Sequence, residues 1–377
     1  MKLPTALFCL SGVILALGEA LAQAPAPSTP LLKQTFADGE EGWTVLGPNA
    51  SIAVTKNPSD TYQGKPALKF TYGVAKGEVN AAICPVMGQD LAAAKSVRLW
   101  ARASHATTLG LVMQESGGGR FMYPFTVPKD KWVQVEAAPG DFVLMDGKDD
   151  PKDANGKLDM DKLEAFAVAD VAEMLVQFGD DAVRFLGIQP GQRTVYLSEI
   201  TLLRDPLPPS QELTGNVMII DSFARSLPSW IAIGGVYLSV VADKPLKGRA
   251  LQAEYHVSPQ TIAGLMRVVP KGKLAEARYL TFEAAASKPT KLMVQVEDQE
   301  SGGKFRTMVD LKGGSEPETI SLKFADFTPT EDSKVTTGKP DLSKVGQLLI
   351  ADPTGMFGGA DQDITLWIGK IRATAAP

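Results

Sequence analysis

The feature that most constrains this chain is an internal repeat. Six blocks of the 377-residue sequence recur once, in the same order. Phe36-Ala37-Asp38 with Trp43 returns as Phe223-Ala224-Arg225 with Trp230. Ala67-Leu68-Lys69-Phe70-Thr71-Tyr72 returns as Ala250-Leu251-Gln252-Ala253-Glu254-Tyr255. Glu115-Ser116-Gly117-Gly118, with Arg120-Phe121, returns as Glu300-Ser301-Gly302-Gly303 with Lys304-Phe305. Gly140-Asp141-Phe142 matches Ala325-Asp326-Phe327, and Gly156-Lys157-Leu158-Asp159 matches Gly338-Lys339-Pro340-Asp341. The segment from Thr194 to Ile200 matches the one from Ile364 to Ile371. Five blocks lie 182 to 187 positions apart, and the last drops to 171. The first copy therefore holds extra residues before its final strand, in segment 171–192. A unit this long is a complete domain rather than one turn of a solenoid. The expected domains are 33–204 and 217–373. Between them, residues 205–216 read as a Pro-rich linker, semi-rigid because of Pro206, Pro208 and Pro209.

The chain begins as an export signal does. Lys2 precedes an apolar stretch, residues 3–17, and Ala20-Leu21-Ala22 supplies small residues for cleavage. Residues 1–22 are expected to be a signal peptide and 23–32 a Pro/Ala-rich leader. The apolar stretch is short for a membrane span, so no span is expected after cleavage. The expected location is periplasmic or extracellular. Cys9 leaves with the signal, so Cys84 remains alone and no internal disulfide can form. Its apolar neighbours Ala81-Ala82-Ile83 read as core.

Composition then excludes function classes. A net charge of −5 argues against a nucleic-acid binder that coats phosphates. Two His and two Cys leave little for a zinc site or a His-based hydrolase. Neither a Gly-x-Ser-x-Gly elbow nor a His-Glu-x-x-His motif is present. His105 and His256 occupy unmatched positions in the two copies, so they are not a shared catalytic device. Gly117-Gly118-Gly119 and Gly358-Gly359 lack the context of a phosphate loop. No catalytic residue is expected.

Each copy reads as β. Val97, Leu99, Ala101 and Ala103 alternate with Arg98, Trp100 and Arg102. Leu109, Leu111 and Met113 form one apolar face, and after a Gly-rich turn Phe121, Tyr123, Phe125 and Val127 form another, which predicts a hairpin. Residues 132–135 and 194–202 add strands. Only 91–95, 161–166 and part of 171–178 look helical. Many short strands punctuated by Gly and Pro predict an all-β sandwich in each copy.

The motif order resembles a known fold family. Phe36-Ala37-Asp38, Ala67-Leu68-Lys69-Phe70, the strand from Val97 to Arg102, the segment from Lys131 to Val135, Asp141-Phe142 and the strand from Thr194 to Ile200 together look like the galactose-binding-like jelly roll. The resemblance is to carbohydrate-binding module family 11 and to complex I intermediate-associated proteins. It implies two tandem jelly-roll β-sandwich domains and a carbohydrate ligand. It also implies a structural calcium ion between the chain start and the last strand, where Asp38, Glu40 and Glu199 stand. The second copy has Arg225 and Lys370 near the matching places. No other cofactor is expected. The acidic loop 146–156 fails as an EF-hand, because Pro151 and Lys162 stand at ligand positions.

A sugar site needs an aromatic platform flanked by hydrogen-bonding side chains. Arg98, Trp100 and Arg102 share a strand face, with Gln114 expected beside them and Tyr72 and Tyr123 at the border. The second copy replaces Trp100 by Glu283 and Arg102 by Ala285. Trp43, Trp132 and Trp230 read as core. The expected function is an exported, non-catalytic binder of polysaccharide or glycoconjugate, with the first domain as binder. The alternative is a structural or protein-interaction module of the cell envelope.

Overall fold

Alternation of side chains decides the architecture. In Ser96–Ala103 the residues Val97, Leu99, Ala101 and Ala103 are buried, and Arg98, Trp100 and Arg102 face outward. Strands of this kind need a second sheet to cover the apolar side. The computed structural model describes residues 29–145, 150–179, 183, 188–215, 217–298, 300–359 and 361–377, and among them the strands form two tandem jelly-roll β-sandwiches.

The first sandwich has two antiparallel sheets. One runs Ser51–Thr55, Ala67–Val74, Gly191–Leu203, Ser96–Ala103, Val133–Ala137, with Leu32–Gln34 also paired to Gly191–Leu203. The other runs Val143–Leu144, Arg120–Val127, Thr107–Glu115, Leu163–Asp170, Ala81–Pro85, Thr44–Leu46. Phe70, Leu99 and Leu197 from the first sheet meet Leu111, Phe125 and Phe166 from the second in one core. Each such side chain contributes about 1.5–3 kcal/mol by leaving water.

The second sandwich repeats the plan. Its larger sheet runs Glu212–Thr214, Val217–Asp221, Ile371–Thr374, Tyr279–Ala286, Gln362–Ile368, Arg249–Val257, Tyr237–Ala242, with Glu318–Lys323 on Tyr279–Ala286. Its smaller sheet runs Ile231–Ile233, Ala263–Val268, Gln347–Asp352, Thr290–Asp298, Gly303–Leu311, Thr328–Pro329. The repeat extends to a buried polar cluster. Tyr72 donates to Asp170 Oδ2 at 2.7 Å and Thr107 to Oδ1 at 2.7 Å. Tyr255 and Thr290 donate to Asp352 Oδ2 at 2.9 and 2.5 Å. Arg193 joins only the first cluster, 2.7 Å from Asp170 Oδ2.

Three expectations change. Residues 161–166, expected as helix, are the end of a 3-10 turn, Met160–Lys162, and the start of the strand Leu163–Asp170. Partners on both sides claim this segment, and tertiary pairing overrides its local preference. The helix begins later, at Val171–Leu175, where Asp170 Oδ1 caps Ala172 N at 2.9 Å. Residues 91–95 are a turn closed by Ala94 N donating to Leu91 O. The end of segment 205–216 is not free linker, since Glu212–Thr214 pairs with Val217–Asp221.

The join is packed. Arg225, which stands where the first copy has Asp38, reaches Asp141 Oδ2 at 2.6 Å with both groups buried. Ser210 donates to Asp141 Oδ1 at 2.6 Å, and Ala232 N donates to Thr108 Oγ1 at 3.2 Å. Leu227 of the second half packs into the core of the first.

Candidate functional site

The expected aromatic platform is already occupied. Trp100 lies on the outer face between Gln134 and Ser198. The loop after Thr55 folds back over it, and Tyr62 stacks on its ring, centroids 3.8 Å apart and planes 18° apart. Trp132, expected in the core, is half-buried beside Tyr62 at 5.7 Å. Arg102 anchors the same loop, donating to Ser59 O at 2.7 Å and facing Asp60 at 3.5 Å. Its guanidinium also sits 5.2 Å from the Tyr196 ring centroid. Arg98 pairs with Glu136 at 2.9 Å. Tyr62 thus fills the position a sugar ring would take.

The remaining expected residues are elsewhere. Gln114 belongs to the opposite sheet, across from Arg120. Tyr72 and Tyr123 are fully buried and cannot border an open site. Burial raises the pKa of both hydroxyls, and the neighbouring Asp170 raises that of Tyr72 further. Their strand parity carried the signal: Tyr123 shares a face with Phe121 and Phe125, and Tyr72 with Leu68 and Phe70. Trp43 and Trp230 are buried, as expected.

The three carboxylates of the calcium expectation are not gathered. Asp38 and Glu40 are exposed, and Glu199 pairs with Lys65 at 2.7 Å. Among the described residues no group of three or more His, Cys, Asp or Glu is arranged to hold a metal ion. Within the acidic loop, 146–149 lie outside the described residues. Its later part satisfies itself, Asn155 N donating to Asp153 Oδ2 at 2.8 Å and Lys157 N to Asn155 Oδ1 at 2.7 Å.

Burial pushes the Glu173 carboxyl up to about 7, outweighing two hydrogen bonds from Asn80. It is sealed at 1% exposure, so no ligand reaches it. Cys84 is buried, accepting from Gln34 at 3.1 Å. His256 is exposed, held between Asp361 at 2.5 Å and Asp363 at 2.8 Å, and these acids raise its pKa.

A broad open concavity lies on the second sandwich. A groove of about 840 Å³ crosses the outer face of its smaller sheet. Met293 and Leu349 form the floor, with Met308 and Gln295 beside them. Met356 and Phe357 rise at one end, 51% and 74% exposed. Phe357 ends a 3-10 turn, Thr354–Phe357, followed by Gly358 in a left-handed conformation. The turn sits close against the segment before Ala263–Val268. A Cβ on Gly355 would fall 2.2 Å from Ser258 O, so only glycine fits there.

The rim is charged but internally neutralised. Lys304 reaches Asp332 at 2.6 Å, Arg306 reaches Glu331 at 2.6 Å, and Lys291 reaches Asp310 at 3.0 Å. The Lys304 bond lowers the Asp332 pKa and raises that of Lys304. The groove thus combines an apolar floor, one exposed ring and polar groups with little net field. At the matching positions the first sandwich has Gly110, Pro124 and Ala167 where the second has Met293, Met308 and Leu349. Alternation in 291–295 and 304–308 marked these side chains as outward-facing. That they form a groove required the sheet to be assembled.

No protein-family model matches the sequence, and no curated protein matches it. Among solved structures, the chain is similar to the family 11 carbohydrate-binding module of the cellulosomal cellulase Lic26A-Cel5E of Clostridium thermocellum. Identity is 14% and the TM-score 0.35, covering 44% of this chain and 97% of that one. It is also similar to the CBM22-1-CBM22-2 tandem domain of Paenibacillus barcinonensis Xyn10C, at 14% identity and a TM-score of 0.31, covering 94% of this chain and 99% of that one. A third similar structure is a family 29 carbohydrate-binding module, at 16% identity and a TM-score of 0.30, covering 43% of this chain and 87% of that one.

Proposed function

We propose that this chain is an exported, non-catalytic glycan-binding protein, and that its binding surface is the groove of the second sandwich. The observation that carries this reading is the groove's composition. Met308, Leu349, Met356 and Phe357 offer apolar surface to the C–H faces of a sugar. Gln295, Arg306, Lys304, Glu331 and Asp332 offer donors and acceptors to hydroxyls. The ion pairs cancel one another, which favours a neutral, extended glycan over a strongly charged one. No bond is broken in this mechanism. The ligand exchanges water for stacking and hydrogen bonds on a surface that already exists.

The test is affinity electrophoresis of the full chain in gels containing neutral and anionic polysaccharides. Retardation by a neutral glycan that is lost in Phe357→Ala and kept in Tyr62→Ala supports the reading. Unretarded migration in every gel overturns it. A protein-interaction role in the cell envelope then becomes the better reading, with the same groove as the surface to test.

A further inference from the structure

Methionine is an uncommon lining for an open surface. By alternation, the outward positions of the strand Gly303–Leu311 are Lys304, Arg306, Met308 and Asp310. Met308 is the one apolar side chain among them, and it is 38% exposed. Met356 stands next to Phe357 on the turn Thr354–Phe357, also open to solvent. Four methionines are exposed among the described residues: Met87, Met174, Met308 and Met356. Met87 and Met174 belong to the first sandwich, and the other two both line the groove. Met293, also in the groove and opposite Met308, is only 8% exposed and packs against Ile262 and Ala351. The first sandwich has Pro124 where the second has Met308.

A thioether is apolar until a two-electron oxidant converts it to a sulfoxide, which is polar. With hydrogen peroxide, a sulfur lone pair attacks one peroxide oxygen and the O–O bond breaks. An S–O bond forms, the sulfur is oxidised by two electrons, and the other peroxide oxygen leaves as water. The step needs access for the oxidant. Exposure supplies it at Met308 and Met356, and burial withholds it at Met293. The sulfoxide oxygen is a hydrogen-bond acceptor that water solvates, and the C–H face of a sugar gains nothing by displacing that water. Oxidation at both positions removes two of the four apolar side chains that the groove offers. Leu349 and Phe357 remain, so binding weakens rather than vanishes.

We propose that Met308 and Met356 are an oxidation site that sets the affinity of the groove. With both thioethers intact the groove holds the glycan, and with both as sulfoxides its hold weakens. A methionine sulfoxide reductase reverses the change: two thiols supply the electrons and become a disulfide, and the oxygen leaves as water. The proposal rests on the glycan reading of the groove and adds a control on that same site.

The test treats the full chain with hydrogen peroxide and maps it by peptide mass spectrometry for one added oxygen per methionine. Met308 and Met356 are expected to oxidise along with Met87 and Met174, and well before the buried Met113 and Met160. Dissociation constants come from affinity electrophoresis in mixed-linkage β-glucan, xylan and glucomannan, each form being compared with itself before and after treatment. Wild type is expected to bind about tenfold more weakly once oxidised, and to recover with reductase and dithiothreitol. Met87→Leu with Met174→Leu should lose affinity as wild type does. Met308→Leu with Met356→Leu keeps apolar side chains of similar volume without sulfur, and its own affinity should not change on treatment. If that form weakens as much as wild type, or if wild type keeps its affinity with both sulfoxides formed, the oxidation site is wrong and the groove stands. Oxidation of Met308 and Met356 no faster than that of the buried methionines overturns it as well. If no polysaccharide retards the untreated chain, the glycan reading fails and the oxidation site with it.

Discussion

Tyr62 lies flat on Trp100, with ring centroids 3.8 Å apart and an interplanar angle of 18°. The contact turns an outward-facing tryptophan into the base of a closed stack, held laterally by Arg102 and its bond to Ser59 O. Removing the cap tests this directly. Tyr62→Ala is expected to cost about 1 kcal/mol, the scale of an aromatic pair beyond its buried area. It should also red-shift tryptophan fluorescence as Trp100 meets water. Glycan retardation should not change. Denaturant titration followed by fluorescence reads stability and exposure in one experiment.

A buried ion pair crosses the joint between the sandwiches. Asp141 and Arg225 are each about 95% buried, 2.6 Å apart, and Asp141 also accepts from Ser210. Arg225→Ala leaves that carboxylate buried without its countercharge. The expected loss is about 3–5 kcal/mol. Replacing both partners, as Asp141→Asn with Arg225→Met, should recover much of it. Chemical denaturation of the three forms gives the comparison, and equal stability of single and double variants would contradict it.

Glu173 makes a pH prediction with a definite sign. Its folded pKa is raised from 4.5 to about 7 by burial. The folded state therefore binds a proton that the unfolded state has released. The stabilisation is full below about pH 4.5 and is lost as pH rises through 7. The carboxylates with lowered values act in the opposite direction and in a different window. Asp332, held down mainly by its hydrogen bond from Lys304, adds stability above its ordinary value of 3.8 and loses it in acid. Glu173→Gln should flatten the stability profile between pH 4.5 and 7 and leave the acid limb intact. Melting temperatures taken across that range check it.

Phe357 is 74% exposed, so little folding energy depends on it. Phe357→Ala should leave the melting temperature within about a degree or two, as surface substitutions do. Loss of the groove's one exposed aromatic ring should weaken glycan binding by about tenfold or more. Unchanged affinity would remove the groove from consideration.

Gly355 positions that ring from a distance. An added Cβ meets the Ser258 and Thr261 carbonyl oxygens at 2.2 and 2.7 Å, both backbone atoms that cannot swing aside. Gly355→Ala should displace the Thr354–Phe357 turn and reduce both binding and stability. A crystal structure of the variant shows whether the turn has moved.

Much of this was legible in the sequence. The repeat of Trp43 in Trp230 and of Tyr72 in Tyr255 gave two copies of one fold. Strict alternation in 97–103, 109–113 and 121–127 gave strands and the hairpin, because a period of two is a local property of an extended chain. The same alternation puts Tyr72 and Tyr123 on the inward side, away from any outer site. The helix expected at 161–166 failed because the pairing of Leu163–Asp170 with two neighbours is not a local property.

Local patterning is enough to set the two-copy organisation, the strand content and which side chains leave each sheet inward or outward. These follow from periodicity, which neighbouring residues set. Long-range packing is what brings Tyr62 over Trp100, Arg225 to Asp141, and Met293, Met308, Leu349 and Phe357 into one groove. Those residues lie 38, 84 and up to 64 positions apart in the chain. Their proximity is fixed by sheet order and by the packing of one sandwich on the other, which no local pattern encodes.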